Sequence, residues 1–178
     1  RTTEDRAVNL ITVGGDAVVR PLVDAWERSG PFDVSSLFSV GSGGAPLSPA
    51  LRRRLRTILP NTLIADGFGS SETGAQGTQR FEGGQEVSDD PTRFSPFSET
   101  TTVLDPLTRE PVAPGSGDIG RVAMRGRIPL EYYGDADKTA ETFVEVGGHR
   151  WVLTGDIATV APDGAIRLLG RGSGCINT

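Results

Sequence analysis

The residues best equipped for chemistry lie in one nonapeptide, Asp66-Gly67-Phe68-Gly69-Ser70-Ser71-Glu72-Thr73-Gly74. It follows the apolar run Leu63-Ile64-Ala65, which reads as the end of a buried strand. A strand that empties into a glycine turn and a helix start is where α/β proteins place phosphates. The inventory suits a nucleotide: an aromatic ring to stack on a base, hydroxyls and backbone N–H groups for a phosphate, and a carboxylate for Mg²⁺. The same residues also suit a plain turn followed by a Ser N-cap, with Glu72 in the first helical turn where the dipole favours it.

Other candidates are weaker taken singly. Thr154-Gly155-Asp156 places a carboxylate just after the strand-like Trp151-Val152-Leu153, poised to accept hydrogen bonds from a ribose, and equally an ordinary turn. Gly170-Arg171 follows fifteen residues after Asp156, at the close of another hairpin. The run Arg52, Arg53, Arg54 and Arg56 reads as a largely outward-facing, solvated helix face rather than a phosphate patch. His149 beside Gly147-Gly148 reads as an exposed hairpin residue, and Cys175 as a packed strand residue with no second His to activate it.

The elements that must position these residues change character along the chain. Val8 to Val13 is a β-branched strand; Asp16 is a plausible N-cap for a helix to about Arg28, with Val18, Val19, Leu22, Val23 and Trp26 on one face. Leu37-Phe38-Ser39-Val40 is a second strand, running into a glycine turn at 41–45. Ser48-Pro49 starts a helix whose Leu51, Leu55 and Ile58 face inward. Strand–helix–strand–helix–strand predicts a parallel sheet, with the glycine turns at 41–45 and 66–69 side by side at the carboxyl ends of neighbouring strands. Residues from about 76 to 98 are polar and aperiodic and read as loop. Short strand-like runs then recur at 100–104, 120–125, 143–146, 150–153, 157–160 and 165–169, with one helix over 136–142. That pattern predicts a small antiparallel sheet of barrel-like form. The expected division is an α/β portion over 1–98, a β-rich portion over 99–172, and a further segment from 173.

Composition narrows the class. A net charge of −5 argues against a nucleic-acid footprint. One cysteine excludes an internal disulfide framework and fits a reducing, cytoplasmic setting, and no apolar run approaches the length of a membrane span. The abrupt ends read as those of a piece of a longer protein, whose uncovered sheet edge would favour a homodimer or other self-association.

Five ordered blocks resemble the adenylate-forming superfamily of acyl-CoA synthetases, firefly luciferase and peptide-synthetase adenylation domains. They are Gly43-Gly44-Ala45-Pro46-Leu47, Gly67 to Gly74, Gly117-Asp118-Ile119-Gly120 with Tyr132-Tyr133-Gly134 and Lys138 to Phe143, Thr154-Gly155-Asp156, and Gly170-Arg171. Ser42 to Leu47 and Lys138 to Phe143 look most like fatty-acyl-CoA synthetases. The resemblance implies part of the large N-terminal domain of an AMP-forming acid–CoA ligase: a carboxylic acid, ATP with Mg²⁺, and coenzyme A as co-substrate, through an acyl-adenylate. It implies that Gly43, Gly44 and Ala45 line the adenine and acyl pocket, that Asp66 and Gly67 border the adenine edge, and that Phe68 stacks on it. Ser71, where the family usually has Thr, would bond the α-phosphate; Glu72 would hold Mg²⁺; Asp156 and Arg171 would grip the ribose. It also implies a phosphate loop upstream, and a hinge at 173–178 leading to a small domain with a catalytic Lys. Ser173 stands there where relatives commonly carry Asp or Lys. An adenylation domain that loads a carrier protein, or a non-catalytic nucleotide-binding module, are the alternatives.

Overall fold

The computed structural model describes residues 2–81 and 90–172; the expected hinge at 173–178, with Ser173 and Cys175, lies outside them. The chain divides into two compact units, Arg1–Phe68 with Thr78–Pro91, and Gly69–Gly77 with Thr92–Thr178.

The first unit begins with a short helix α1 (Thr2–Asp5), then β1 (Leu10–Val13), α2 (Gly15–Ser29), β2 (Ser39–Gly43), α3 (Pro49–Ile58) and β3 (Leu63–Ser70), followed by β4 (Gly74–Phe81) beside β3. β1, β2 and β3 pair in parallel, as the alternation of strands and helices predicts, and their register puts Ser42 opposite Asp66 and Gly43 opposite Gly67. The two glycine segments therefore lie side by side, 41–43 and 66–69 as extended strand rather than as turns, with a bend only at Gly44 and Ala45. α3 starts where Ser48-Pro49 requires, the Ser48 hydroxyl accepting from the Leu51 N–H at 3.4 Å. α2 differs from expectation: Gly14 occupies the cap position without a side-chain bond. The Asp16 carboxylate instead accepts from the Ser48 N–H at 2.7 Å, tying the two helix starts together. Gly15, at φ +59°, has Pro46 O only 2.6 Å from where a Cβ would stand, so this junction tolerates no side chain.

The core of this unit gathers Val13, Val19, Val23, Val40, Leu47, Leu51, Leu55, Ile64 and Phe81. Only one edge of the predicted α2 face reaches it, with Val18 46% and Leu22 53% exposed. Val19 and Val23, four residues apart, make the contact, with Trp26 packed against the same cluster. The arginine run divides in the same way. Arg53 is exposed, whereas Arg52 is wholly buried, contrary to an outward-facing row. Arg54 reaches Asp24 at 2.6 Å and Glu27 at 2.7 Å on α2, so it closes a helix–helix contact.

The second unit is antiparallel. β5 (Arg93–Pro96), β6 (Thr101–Leu104), β7 (Gly120–Arg125), α4 (Ala136–Thr142), β8 (Phe143–Val146), β9 (His149–Val160) and β10 (Ile166–Arg171) follow in sequence, with hydrogen-bonded order β5-β10-β9-β7-β6 and β8 on the other part of β9. Among the described residues the sheet is open, not closed into a barrel. Two predicted strands, at 150–153 and 157–160, are one twelve-residue strand, β9, which pairs with β8, β7 and β10. Leu104, Ala123, Trp151 and Leu153 form a core cluster with Val144 and Val146 against it. Gly147 and Gly148, both at positive φ, turn β8 into β9 and leave His149 exposed, as expected.

Candidate functional site

The nonapeptide is not a turn into a helix. β3 runs through Asp66, Gly67, Phe68 and Gly69 to Ser70, and after a three-residue turn the chain returns as β4. The region from 76 to 98, expected as loop, holds the rest of β4 and β5. The turn is held by its hydroxyls. The Ser70 N–H donates to Thr73 Oγ1 at 3.0 Å, Ser70 Oγ and Thr73 Oγ1 lie 3.1 Å apart, and the Glu72 N–H donates to Ser70 Oγ at 3.3 Å. Gly69 is obligatory here, since a Cβ would fall 2.0 Å from Gly74 O. These bonds leave Ser71 exposed at the tip and Glu72 half-buried.

Glu72 is specifically held. The Tyr132 hydroxyl donates to its Oε1 at 2.6 Å. That bond is the main cause holding the Glu72 carboxyl below the usual glutamate range; the Ser70 hydroxyl and, less, the Lys138 charge act the same way, against partial desolvation. The Tyr132 phenol is pushed upward by the same contact. Among the described residues no three His, Cys, Asp or Glu gather to hold a metal. One anionic carboxylate beside hydroxyls nevertheless fits Mg²⁺, which keeps its waters and binds through one or two carboxylates plus substrate phosphates.

Asp66, sixth in line before Glu72, is used differently. Its side chain is buried and paired with Arg52 at 2.7 Å, and Arg52 also donates to Gln79 Oε1 at 2.7 Å. Burial pushes the Asp66 carboxyl up, against the pull of Arg52. Phe68 shares the buried face of β3 with Ile64 and Asp66, while Ala65 and Gly67 face the other way, partly exposed. Gly44, at φ +75°, and Ala45 are exposed where the chain leaves β2.

In the second unit, antiparallel pairing sets Arg171 opposite Asp156, and Arg171 Nε donates to Asp156 Oδ1 at 3.0 Å. The two residues predicted to act together are thus brought together. Nothing lies within 4 Å of a Cβ built on Gly155, so the strand beside them is open. Arg121, which the sequence did not single out, fastens this stretch by donating to Thr154 O at 3.0 Å from one nitrogen and 3.2 Å from another. Also missed were the Tyr132 contact and Gln76, a buried amide with neither its nitrogen nor its oxygen hydrogen-bonded. Only the Tyr132 position carried a prior signal, as part of the Tyr132-Tyr133-Gly134 block.

The fold is that of the large domain of adenylate-forming enzymes. The chain superposes on a long-chain-fatty-acid–CoA ligase from Archaeoglobus fulgidus with a TM-score of 0.79 and 19% identity, covering 96% of this chain and 35% of that one. It superposes on a nonribosomal peptide synthetase bound to alpha-methyl-L-serine-AMP with a TM-score of 0.81 and 22% identity, covering 97% of this chain and 20% of that one. The family model for AMP-binding enzymes matches residues 8–133, and the chain belongs to that family. Across 178 residues it is 46% identical to a medium/long-chain-fatty-acid–CoA/3-oxocholest-4-en-26-oate–CoA ligase of Mycobacterium marinum. It is 43% identical over 183 residues to a 3-oxocholest-4-en-26-oate–CoA ligase of Rhodococcus rhodochrous. All of this chain is covered in both matches, and 32% of each relative.

Proposed function

We propose that this chain is the nucleotide-handling segment of an ATP-dependent, AMP-forming acid–CoA ligase acting on fatty or steroid-derived carboxylic acids. The observation that carries the reading is identity of 43–46% along the whole chain to ligases named for those acids. In the first step a carboxylate oxygen of the acid bonds to the α-phosphorus of ATP, and the bond to pyrophosphate breaks. In the second the thiol sulfur of coenzyme A bonds to the acyl carbon, AMP leaves with the bonding pair, and the thiol proton passes to solvent.

The residues divide the work. In the first unit Gly43, Gly44 and Ala45, with the backbone of Asp66 and Gly67 and the ring of Phe68, offer the surface for adenine. In the second unit Ser71 donates to the α-phosphate, Glu72 holds the cation, and at the ribose Asp156 accepts from the hydroxyls while Arg171 donates to their oxygens. Mg²⁺ supplies positive charge that spreads the charge of the phosphates during displacement. Positioned donors and charge are what attack at phosphorus requires, with little covalent help from protein. No helix among the described residues is long and apolar enough to cross a membrane. A reducing, cytoplasmic setting is part of the same proposal, supported by the single cysteine, and so is a homodimer, supported by β1 standing at the end of the strand order among the described residues.

The test is acid-dependent ATP–pyrophosphate exchange by a full-length polypeptide carrying this segment, followed by acyl transfer to coenzyme A or to a pantetheinylated carrier. Exchange with a fatty or steroid acid, transfer to coenzyme A, and an ATP KM raised roughly tenfold or more by Asp156→Ala are expected. Transfer to the carrier alone would contradict the ligase reading. An unchanged ATP KM would reduce Asp156 to a strand residue.

A further inference from the structure

Two sequence blocks, Tyr132-Tyr133-Gly134 and Lys138 to Phe143, have so far received no task. They meet Glu72 inside the second unit. We infer that Tyr132 is a positioning residue for the Glu72 carboxylate, held in place by the N-terminal turn of α4; the inference rests on the reading of Glu72 as the residue that holds the cation.

Glu72 sits on a three-residue turn between strands, where a flexible side chain would sample several rotamers. The Tyr132 hydroxyl, sixty residues away in sequence, donates to Glu72 Oε1 at 2.6 Å. That length is typical of an O–H bond to an ionised oxygen, the stronger kind. It fixes one carboxylate oxygen and orients the other.

Tyr132 is itself fixed from two sides. Its N–H donates to Thr139 Oγ1 at 2.9 Å, and the Thr139 hydroxyl donates to Asp135 O at 2.6 Å. Asp135 in turn caps α4, its Oδ1 accepting from the Lys138 N–H at 3.0 Å. The ring packs on Phe143 with centroids 5.6 Å apart, and Lys138 Nζ lies 4.4 Å from the Tyr132 centroid. A cation over the ring draws density from the phenol and strengthens it as a donor. The adjacent Tyr133 is fully exposed, so the paired tyrosines have separate fates. A hydrogen bond that merely tied the 130–135 loop to the hairpin would need no ammonium over the ring.

The experiment uses a full-length polypeptide carrying this segment and follows Mn²⁺ binding in the presence of ATP by electron paramagnetic resonance, beside the KM for metal·ATP and the unfolding midpoint. Tyr132→Phe keeps the ring and removes only the O–H. Its expected effect is a five- to tenfold weaker Mn²⁺ affinity, roughly the net worth of one ordinary hydrogen bond, with the midpoint unchanged. Glu72→Gln weakens binding further, and the double variant is no weaker than Glu72→Gln alone, because both changes act through one carboxylate. Wild-type Mn²⁺ affinity in Tyr132→Phe, with a loss in Glu72→Gln, would overturn the inference and leave the proposed function standing. Additive losses in the double variant would overturn it as well. Wild-type affinity in Glu72→Gln would instead remove the metal role of Glu72, and with it the inference. If Tyr132→Phe does not fold, Thr139→Val, which frees the Tyr132 N–H and leaves the phenol, should give a two- to threefold loss, and no loss there would overturn the proposal.

Discussion

Asp66 and Glu72 stand six residues apart on one hairpin, and the two units treat them in opposite ways. The first unit buries Asp66 against Arg52 and Gln79 and raises its pKa through desolvation. The second leaves Glu72 half-exposed and lowers its pKa with the Tyr132 hydroxyl. A carboxylate committed to a buried guanidinium serves the fold. A carboxylate kept anionic at an accessible turn is available to a cation. The same contrast runs along β4: Gln79, in the first unit, accepts from Arg52 and donates to Asp90 O at 3.0 Å, whereas Gln76, in the second, is buried with both amide atoms unpartnered.

The largest effect should come from breaking the buried side of this comparison. Arg52→Met leaves Asp66 and Gln79 without their common donor, and the loss in denaturant unfolding is expected at about 3–5 kcal/mol. Adding Asp66→Leu should recover most of it, because a buried pair replaced whole by apolar groups is often neutral. A loss below about 1 kcal/mol for Arg52→Met would show that the pair is not structural. On the other side, Gln76→Met removes an unsatisfied buried amide at nearly constant volume. A gain of about 1 kcal/mol in the same measurement is expected, and a loss would mean that the amide has a partner. The smallest effect is at the surface. The backbone N–H groups of Thr108 and Leu107 hold the exposed Asp105 carboxyl below the usual aspartate range. Its folded pKa lies below its unfolded value, so its contribution is present above the unfolded value and fades as pH falls through the folded one. Asp105→Asn should therefore lower the unfolding midpoint slightly at neutral pH, the two curves converging as pH falls below about 4. Parallel midpoint–pH curves would contradict that.

How much the sequence disclosed follows from how local each signal is. Ser48-Pro49 marked α3, and the β-branched runs separated by Pro-Gly and Gly-Gly pairs marked the strands of the second unit, because caps and turns act within a few residues. Asp156 and Arg171 were joined only through the family resemblance, and the β9–β10 pairing then sets them opposite each other. The hairpin at 63–81 was not. Gly67-Phe68-Gly69 has the composition of a turn and β4 is largely polar, and only pairing with neighbouring strands makes them extended. Burial of Arg52 depends on Asp66 and Gln79, 14 and 27 residues on, and the Tyr132 contact to Glu72 spans sixty. No periodicity in a single chain announces such partners.

The central claim is that Glu72 serves the nucleotide and Asp66 the fold. The direct test is to measure acid-dependent pyrophosphate exchange and the unfolding midpoint for Glu72→Gln and Asp66→Asn, each in a full-length polypeptide carrying this segment. Glu72→Gln should lose about 10²-fold in exchange rate at an unchanged midpoint. Asp66→Asn should lower the midpoint, because Arg52 is left buried without its counter-charge. Near-normal exchange in Glu72→Gln together with a wild-type midpoint in Asp66→Asn would contradict the account.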